Sequence, residues 1–220
     1  MLNSAEIYIK YPRDDWNPHA TDQTGVGYSD DFGSRFFVGT AGSNIYIHGK
    51  EKRTWTLLSQ DAVEGDNQVE LKHNPIESGW SVGDEIAIAT TWRKDSSRHT
   101  ITEISDNTIT FDPALDHDRH GGIKDYFGVD VEKAAEVINL ERNIKIYGPD
   151  DEMTLNGFHF GTFGWEENKV SNYDVRYARV QNCGQNDIMG RYCFHFHLKK
   201  KCPECYLKGN AVVNSRQGQG

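Results

Sequence analysis

Two stretches of this sequence concentrate side chains that can do chemistry. Gly190-Arg-Tyr-Cys-Phe-His-Phe-His-Leu198 holds two imidazoles, a guanidinium and a thiol. In an extended strand alternate side chains leave opposite faces, so Arg191, Cys193, His195 and His197 share one face and Tyr192, Phe194, Phe196 and Leu198 the other. A helical period would scatter both sets. The stretch is therefore predicted as a buried strand over Arg191 to Leu198 with one polar face. The second stretch, Asp112 to Asp130, contains Asp112, Asp116, His117, Asp118, His120, Asp125 and Asp130 among Gly121, Gly122 and Gly128. Carboxylates and imidazoles on a glycine-bent loop could bind a cation or move protons. A polar, solvated connection is the plainer reading of the same residues.

The elements that must position these groups read as β throughout. Candidate strands are Phe36 to Thr40, Asn44 to His48, Thr54 to Leu58, Gln68 to Leu71, Glu85 to Thr91, His99 to Ile104 and Thr108 to Phe111. Glu64-Gly-Asp-Asn67 and Ser105-Asp-Asn-Thr108 suit tight turns, since Gly and Asn tolerate positive φ. Ala134 to Leu140 then leads through Glu141-Arg-Asn143 into the strand Ile144-Lys-Ile-Tyr147, closed by Gly148-Pro149. Beyond it the chain matches itself: Val180, Asn182 and Gln185 recur as Val212, Asn214 and Gln217. A fixed offset of this kind predicts stacked rungs of a parallel β-helix, in which Asn at equivalent turns forms a ladder because its amide both donates and accepts. The rungs are expected around Asn143 to Tyr147, Thr154 to Phe160, Tyr173 to Val180, Cys193 to Leu198 and Tyr206 to Val213.

Composition excludes some functions. A net charge of -9 argues against nucleic-acid binding, which needs clustered cations, and the basic run Lys199-Lys200-Lys201 reads as a solvated loop. No apolar run approaches the roughly 20 residues of a membrane span, so no membrane contact is expected of this segment. The N-terminus has no export-signal pattern. Both ends read as cuts through a longer chain. Cys183, Cys193, Cys202 and Cys205 are open to three readings: disulfides in an oxidising compartment, free thiols, or a metal site with His195 and His197.

The ordered set Ile47-His-Gly49, Thr54-Trp-Thr56, Gly83-Asp84-Glu-Ile86, Leu115 with His120 and Gly121, Ala135-Glu-Val137, Arg142-Asn-Ile144, Gly157/His159 and Gly184-Gln185, ending in Gly190 to Leu198, resembles a known family. It is similar to the eight-glycine (G8) domain followed by a right-handed parallel β-helix, the pairing of hyaluronan-binding and fibrocystin-like proteins. The resemblance implies an all-β chain: a lead-in over 1–35, a small β-sandwich-like G8 domain over 36–142 packed on the first rungs of a β-helix over 143–220. It implies an extracellular or cell-surface protein that handles glycans, with an acidic, hyaluronan-like polysaccharide as partner and calcium as a supporting cofactor.

A hyaluronidase-type hydrolase of such a polymer needs an acid, a base or nucleophile, and cations for uronates. Under that reading Asp130, Glu136, His195 and His197 are the catalytic candidates. Arg142, Arg191 and His120 would bind substrate, and Asp116, Asp118 and Asp130 would hold the metal. Each has a structural counterpart: an ion pair between Glu136 and Arg142, polar packing of the two His, and a turn cap at Asp130. A non-catalytic carbohydrate- or protein-binding module is the alternative, and the G8 unit could also cap the open end of the solenoid.

Overall fold

A computed structural model describes residues 4–9, 35–39, 42–91, 96–150, 157–163, 172–185, 189–197 and 202–216, and these contain strands and no helix. Residues divide into two units, one formed by Met1–Lys50 with Arg142–Gly220, the other by Glu51–Glu141. The first unit opens with β1 (Ala5–Tyr8), β2 (Phe36–Gly39) and β3 (Asn44–His48). The second holds β4 (Trp55–Leu57), β5 (Gln68–Glu70), β6 (Glu85–Ile88), β7 (Ser97–Ser105), β8 (Thr108–Asp112), β9 (Ile123–Tyr126), β10 (Val129–Glu132) and β11 (Glu136–Asn139). The chain then returns for β12 (Ile144–Tyr147), β13 (His159–Phe163), β14 (Asn172–Arg176), β15 (Ala178–Cys183), β16 (His195–His197), β17 (Cys205–Lys208) and β18 (Ala211–Ser215).

The described residues of the first unit form three parallel ladders, β1-β12-β15-β18, β2-β13-β16 and β3-β14-β17, the arrangement of a parallel β-helix. Its first turn is β1, β2 and β3. Residues 5–8, expected in a lead-in, and 36–39 with 44–48, expected in the G8 domain, therefore belong to the stacked turns, and the second unit is inserted in sequence between the first turn and the second. Local patterning could not show this, because a strand's alternation is the same whichever partner it pairs with. Successive turns bury Ile146, Phe158, Phe160, Tyr173, Val175 and Val180 in one core, with Phe37 stacked on Phe160 at 5.2 Å and 5° between planes. Each such side chain contributes about 1.5–3 kcal/mol by leaving water.

The self-match in the sequence is a ladder register, since Val180 pairs with Val212. Asn182 and Asn214 both take positive φ, 53° and 52°, and Asn214 Nδ2 donates to Asn182 Oδ1 at 3.2 Å while Asn182 Nδ2 donates to Gly148 O at 3.2 Å. The asparagine ladder forms as expected; Gln217 and the Thr154 end of one predicted rung lie outside the described residues. Where the chain departs for the inserted unit, Gly49 is obligatory: a Cβ there would lie 2.1 Å from Tyr177 O. Asn143 Oδ1 accepts from Lys50 N at 2.7 Å, so the exit and re-entry points are tied together.

The second unit differs from the expected sandwich. A single antiparallel sheet, β4-β11-β6-β7-β8-β5, has its outer strands joined by the Leu58↔Leu71 bridge, with Ser59 N donating to Glu70 O and Lys72 N to Leu57 O, both at 2.9 Å. The sheet closes on itself around Leu58, Val69, Leu71, Trp80, Ile86, Ile88, Ile101, Ile109, Phe111 and Val137. Closure removes both sheet edges. Asp84 of the Gly83-Asp84 phrase is a buried junction, accepting from Lys52 Nζ at 3.0 Å, Asn139 Nδ2 at 2.7 Å and Ser81 N at 3.1 Å. Within the loop expected from Asp112 to Asp130, β9 and β10 form a separate two-stranded ribbon.

The cysteines are paired as Cys183–Cys193, with Cα atoms 4.9 Å apart, and Cys202–Cys205, at 5.2 Å. Of the three readings left open, the structure takes disulfides, as an oxidising compartment permits.

Candidate functional site

The aromatic and histidine stretch folds differently from a strand over Arg191 to Leu198. Among its described residues only His195–His197 is strand, paired in parallel with Gly161 to Phe163. Cys193, placed by alternation on the polar face, is buried in its disulfide, and Phe196, placed on the core face, is 39% exposed. The crosslink to Cys183 and the bonds Arg191 O to Gln185 N and Tyr192 O to Phe160 N hold residues 191–194 off the strand path. The His195 ring is half-buried, its Nδ1 3.2 Å from Nε2 of the fully buried His159, with Tyr192 edge-on at 5.1 Å. The side chain of His197, together with Leu198 and Lys199 to Lys201, lies outside the described residues. Arg191 Nη1 donates to Oε1 of buried Gln185 at 2.8 Å. Arg142 is 2% exposed and donates through Nε to Gly209 O at 2.8 Å. That is a turn-capping arrangement, and the burial leaves Arg142 no route to a solvent-borne uronate, contrary to the substrate-binding expectation.

The remaining candidates are scattered in the second unit. Glu136 is exposed on β11 and Asp130 on β10. Asp116 Oδ1 accepts from Arg119 Nη2 at 2.8 Å; partial burial opposes its charge, but the guanidinium outweighs that and holds the carboxyl below its ordinary pKa. Asp118 Oδ1 caps Glu64 N at 2.9 Å, and His120 faces Asp61 at 3.7 Å. A cleft of about 350 Å³ is lined by Glu64, Thr91, His117, Asp118, Arg119 and His120 among others. Asp130 stands apart on the ribbon. The three carboxylates expected to share a metal are thus not brought together, and no group of three His, Cys, Asp or Glu converges among the described residues.

The structure assembles a different surface that the sequence reading did not find. Ladder β3-β14-β17 sets residues far apart in the chain side by side: Tyr46, Asp174 and Tyr206 in one cross-strand row, and His48, Arg176 and Lys208 in another. Alternation turns these outward, because Tyr173 and Val175 between them fill the core. Tyr46 is 58% exposed and Tyr206 46%, flanking Asp174. Asp174 accepts from Arg176 Nε at 2.6 Å and Nη2 at 2.8 Å, and from His48 Nε2 at 3.0 Å. Burial under these neighbours disfavours its charge, yet the Arg176 and His48 bonds prevail and keep its pKa below the ordinary carboxylate value. Arg176 in turn lies over the Tyr206 ring at 5.0 Å. At one end Asn172 Nδ2 donates to Asn44 Oδ1 at 2.8 Å and to Tyr46 Oη at 3.2 Å. Two open aromatic faces around fixed charged donors and acceptors can stack a flat, partly apolar ligand and bond its hydroxyl or carboxylate groups. The only available signal was the alternation of polar and apolar residues in Asn44 to His48 and Asn172 to Arg176.

No family model matches the chain. It is 29% identical over 203 residues to a G8 domain-containing protein of Dictyostelium discoideum, covering 90% of this chain and 13% of that protein. A second G8 domain-containing protein of the same organism is 28% identical over 194 residues, covering 84% and 16%, and protein rliB is 28% identical over 193 residues with the same coverage. Among solved structures, the tailspike gp49 of Pseudomonas phage LKA1 gives a TM-score of 0.30 at 13% identity, covering 69% of this chain and 28% of that one. The gp54 tailspike of Acinetobacter baumannii phage AP22, solved with a capsular saccharide, gives 0.30 at 10%, covering 94% and 41%. Scores this low carry no weight for fold or function. The chain spans 12–16% of the length of the curated relatives it matches. Similarity to proteins named for a G8 domain, across most of its length, supports a G8 domain in this chain.

Proposed function

We propose that this chain is a glycan-binding module whose saccharide lies on the outer face of β3-β14-β17. The observation that carries the reading is the row Tyr46, Asp174 and Tyr206, two exposed rings around a carboxylate held in place by Arg176 and His48. The neighbouring row sets the His48 imidazole beside two basic side chains, Lys208 and the Asp174-paired Arg176, on a protein of net charge -9, and this favours an acidic polysaccharide of the hyaluronan type over a neutral one. An extracellular or cell-surface setting agrees with the two disulfides.

A second reading, depolymerisation of the same polymer, is favoured by one contact. Asp174, ionised and 3.0 Å from His48 Nε2, is a carboxylate–imidazole pair able to hold and move a proton. The two readings separate in one experiment. The chain is incubated with hyaluronan and a panel of acidic and neutral polysaccharides, with calcium and with chelator, and analysed by size exclusion. Co-elution without shortening supports binding alone; shortening lost in His48→Ala supports catalysis. Neither outcome with any polymer, from protein that remains folded, overturns the glycan reading. A chelator effect would bring calcium back as a cofactor.

A further inference from the structure

The β9–β10 ribbon carries features that its own fold does not explain. Its base is anchored: Lys124 Nζ bonds Asp61 Oδ2 at 2.6 Å, Lys72 pairs with Glu132, and Lys133 N donates to Gly122 O at 3.1 Å. Its tip is Phe127-Gly128, both at positive φ, 58° and 83°, and Phe127 is fully exposed. A bulky aromatic is disfavoured in that conformation, where Asn or Gly would serve the turn. The register pairs Tyr126 with Val129, Asp125 with Asp130, Lys124 with Val131 and Ile123 with Glu132. Directly opposed residues share a face. One face therefore presents Tyr126, Val129 and Val131, all exposed, with Lys124 at its base, and the other presents Asp125, Asp130 and Glu132 with the exposed Ile123 at its base. Asp125 opposite Asp130 is a like-charge pair, which weakens a ribbon standing alone. Among the described residues β9 is the only strand paired with β10.

We propose that the outer edge of β10 is a docking site for an extended protein segment that alternates apolar and basic residues. Such a segment adds a third strand to the ribbon, its backbone bonding the open edge. Its period-2 pattern lays apolar side chains beside Tyr126, Val129 and Val131 and cations beside Asp125 and Asp130, and Phe127 closes over its end. Charge complementarity selects this occupant: the ribbon's Lys124 is held by Asp61 and Glu132 is held by the neighbouring Lys72, so Asp125 and Asp130 give the acidic face its remaining negative charge, which attracts cations and would repel an anionic lipid surface. This site is independent of the glycan face.

The test uses the whole chain and a labelled synthetic peptide alternating Lys with Val, with Glu–Val alternation and a scrambled Lys/Val peptide as controls. Fluorescence anisotropy reads affinity and hydrogen exchange reads protection of the β10 amides. The Lys–Val peptide is expected to bind and protect those amides, with the controls at least tenfold weaker. Asp125→Lys with Asp130→Lys should reverse the preference in favour of the Glu–Val peptide. Phe127→Asn, which suits the turn and keeps the ribbon formed, should weaken binding about fivefold, and Val82→Ser, remote in sequence, should leave it unchanged. Equal affinity for all peptides, an affinity indifferent to the charge reversal, or binding to phosphatidylserine vesicles instead would overturn the proposal.

Discussion

Truncating Tyr46 to Ala measures directly whether the β3-β14-β17 face holds a saccharide. A tyrosine side chain offers about 200 Å², and Tyr46 is 58% exposed, which leaves roughly 115 Å² open. A sugar ring stacked on one side covers about half of that, roughly 60 Å², and at about 25 cal/mol per Å² the contact is worth about 1.5 kcal/mol. The dissociation constant should therefore rise about tenfold in Tyr46→Ala. For Tyr206, 46% exposed with one side under Arg176, the same reasoning gives about 1.1 kcal/mol and roughly sixfold. The two rings sit on strands either side of β14, roughly 10 Å apart, so their effects should be nearly additive and the double variant about 60-fold weaker. The assay is calorimetric titration with oligosaccharides of whichever polymer co-elutes with the chain. Trp55→Ala, half-exposed in the other unit, serves as the aromatic control. A glycan that binds while both single variants stay within twofold of the parent would refute the stacking argument.

Other perturbations test the fold and its charges. Asn182→Ala removes two side-chain bonds worth about 1 kcal/mol each and puts Ala at φ 53°, adding about 1 kcal/mol. The first unit should melt roughly 10 °C lower, whereas Asn182→Gly, free of the backbone penalty, should recover about a third of that loss by calorimetry. Asp174→Asn should cost about 1–2 kcal/mol at neutral pH, a figure discounted because Arg176 and His48 can return to water. Because the folded-state pKa of Asp174 is depressed, its contribution is present above the ordinary carboxylate value of 3.8 and fades as pH falls below it. Urea titrations at stepped pH should show that fall in the parent and not in the variant. His99 reports on the second unit. Burial pushes its pKa down, and its ring bonds Pro113 O at 2.6 Å and Ser97 Oγ at 2.7 Å. Its neutral form is favoured by folding, so that unit should lose stability as pH drops below about 6.5, and His99→Gln should flatten the profile followed by tryptophan fluorescence.

Much of the local chemistry was legible in the primary structure. Alternation marks Asn44 to His48 and Ile144 to Tyr147 as strands, and the recurrence of Val180 and Asn182 as Val212 and Asn214 marks both the rung repeat and its asparagine turn, because strand alternation and the left-handed turn are properties of a few adjacent residues. The candidate site was less legible. His195 and the acidic loop stood out by residue type, yet type says nothing about convergence. Arg142 is spent on Gly209 O, Cys193 on Cys183, and Asp116 on Arg119.

What the amino-acid order determined by itself was the all-β character, the stacked repeat and the places where glycine or asparagine must turn the chain. Only the tertiary structure decided that Phe36–Gly39 and Asn44–His48 belong to the first turn of the ladders, that residues 51–141 are inserted in sequence between that turn and the next, and that the inserted sheet closes through Leu58 and Leu71. It alone placed Asp174 between Tyr46 and Tyr206. The physical reason is that a parallel ladder takes its neighbours from successive turns, so the residues that share its outer face come from segments whose local sequence carries no mark of their partners.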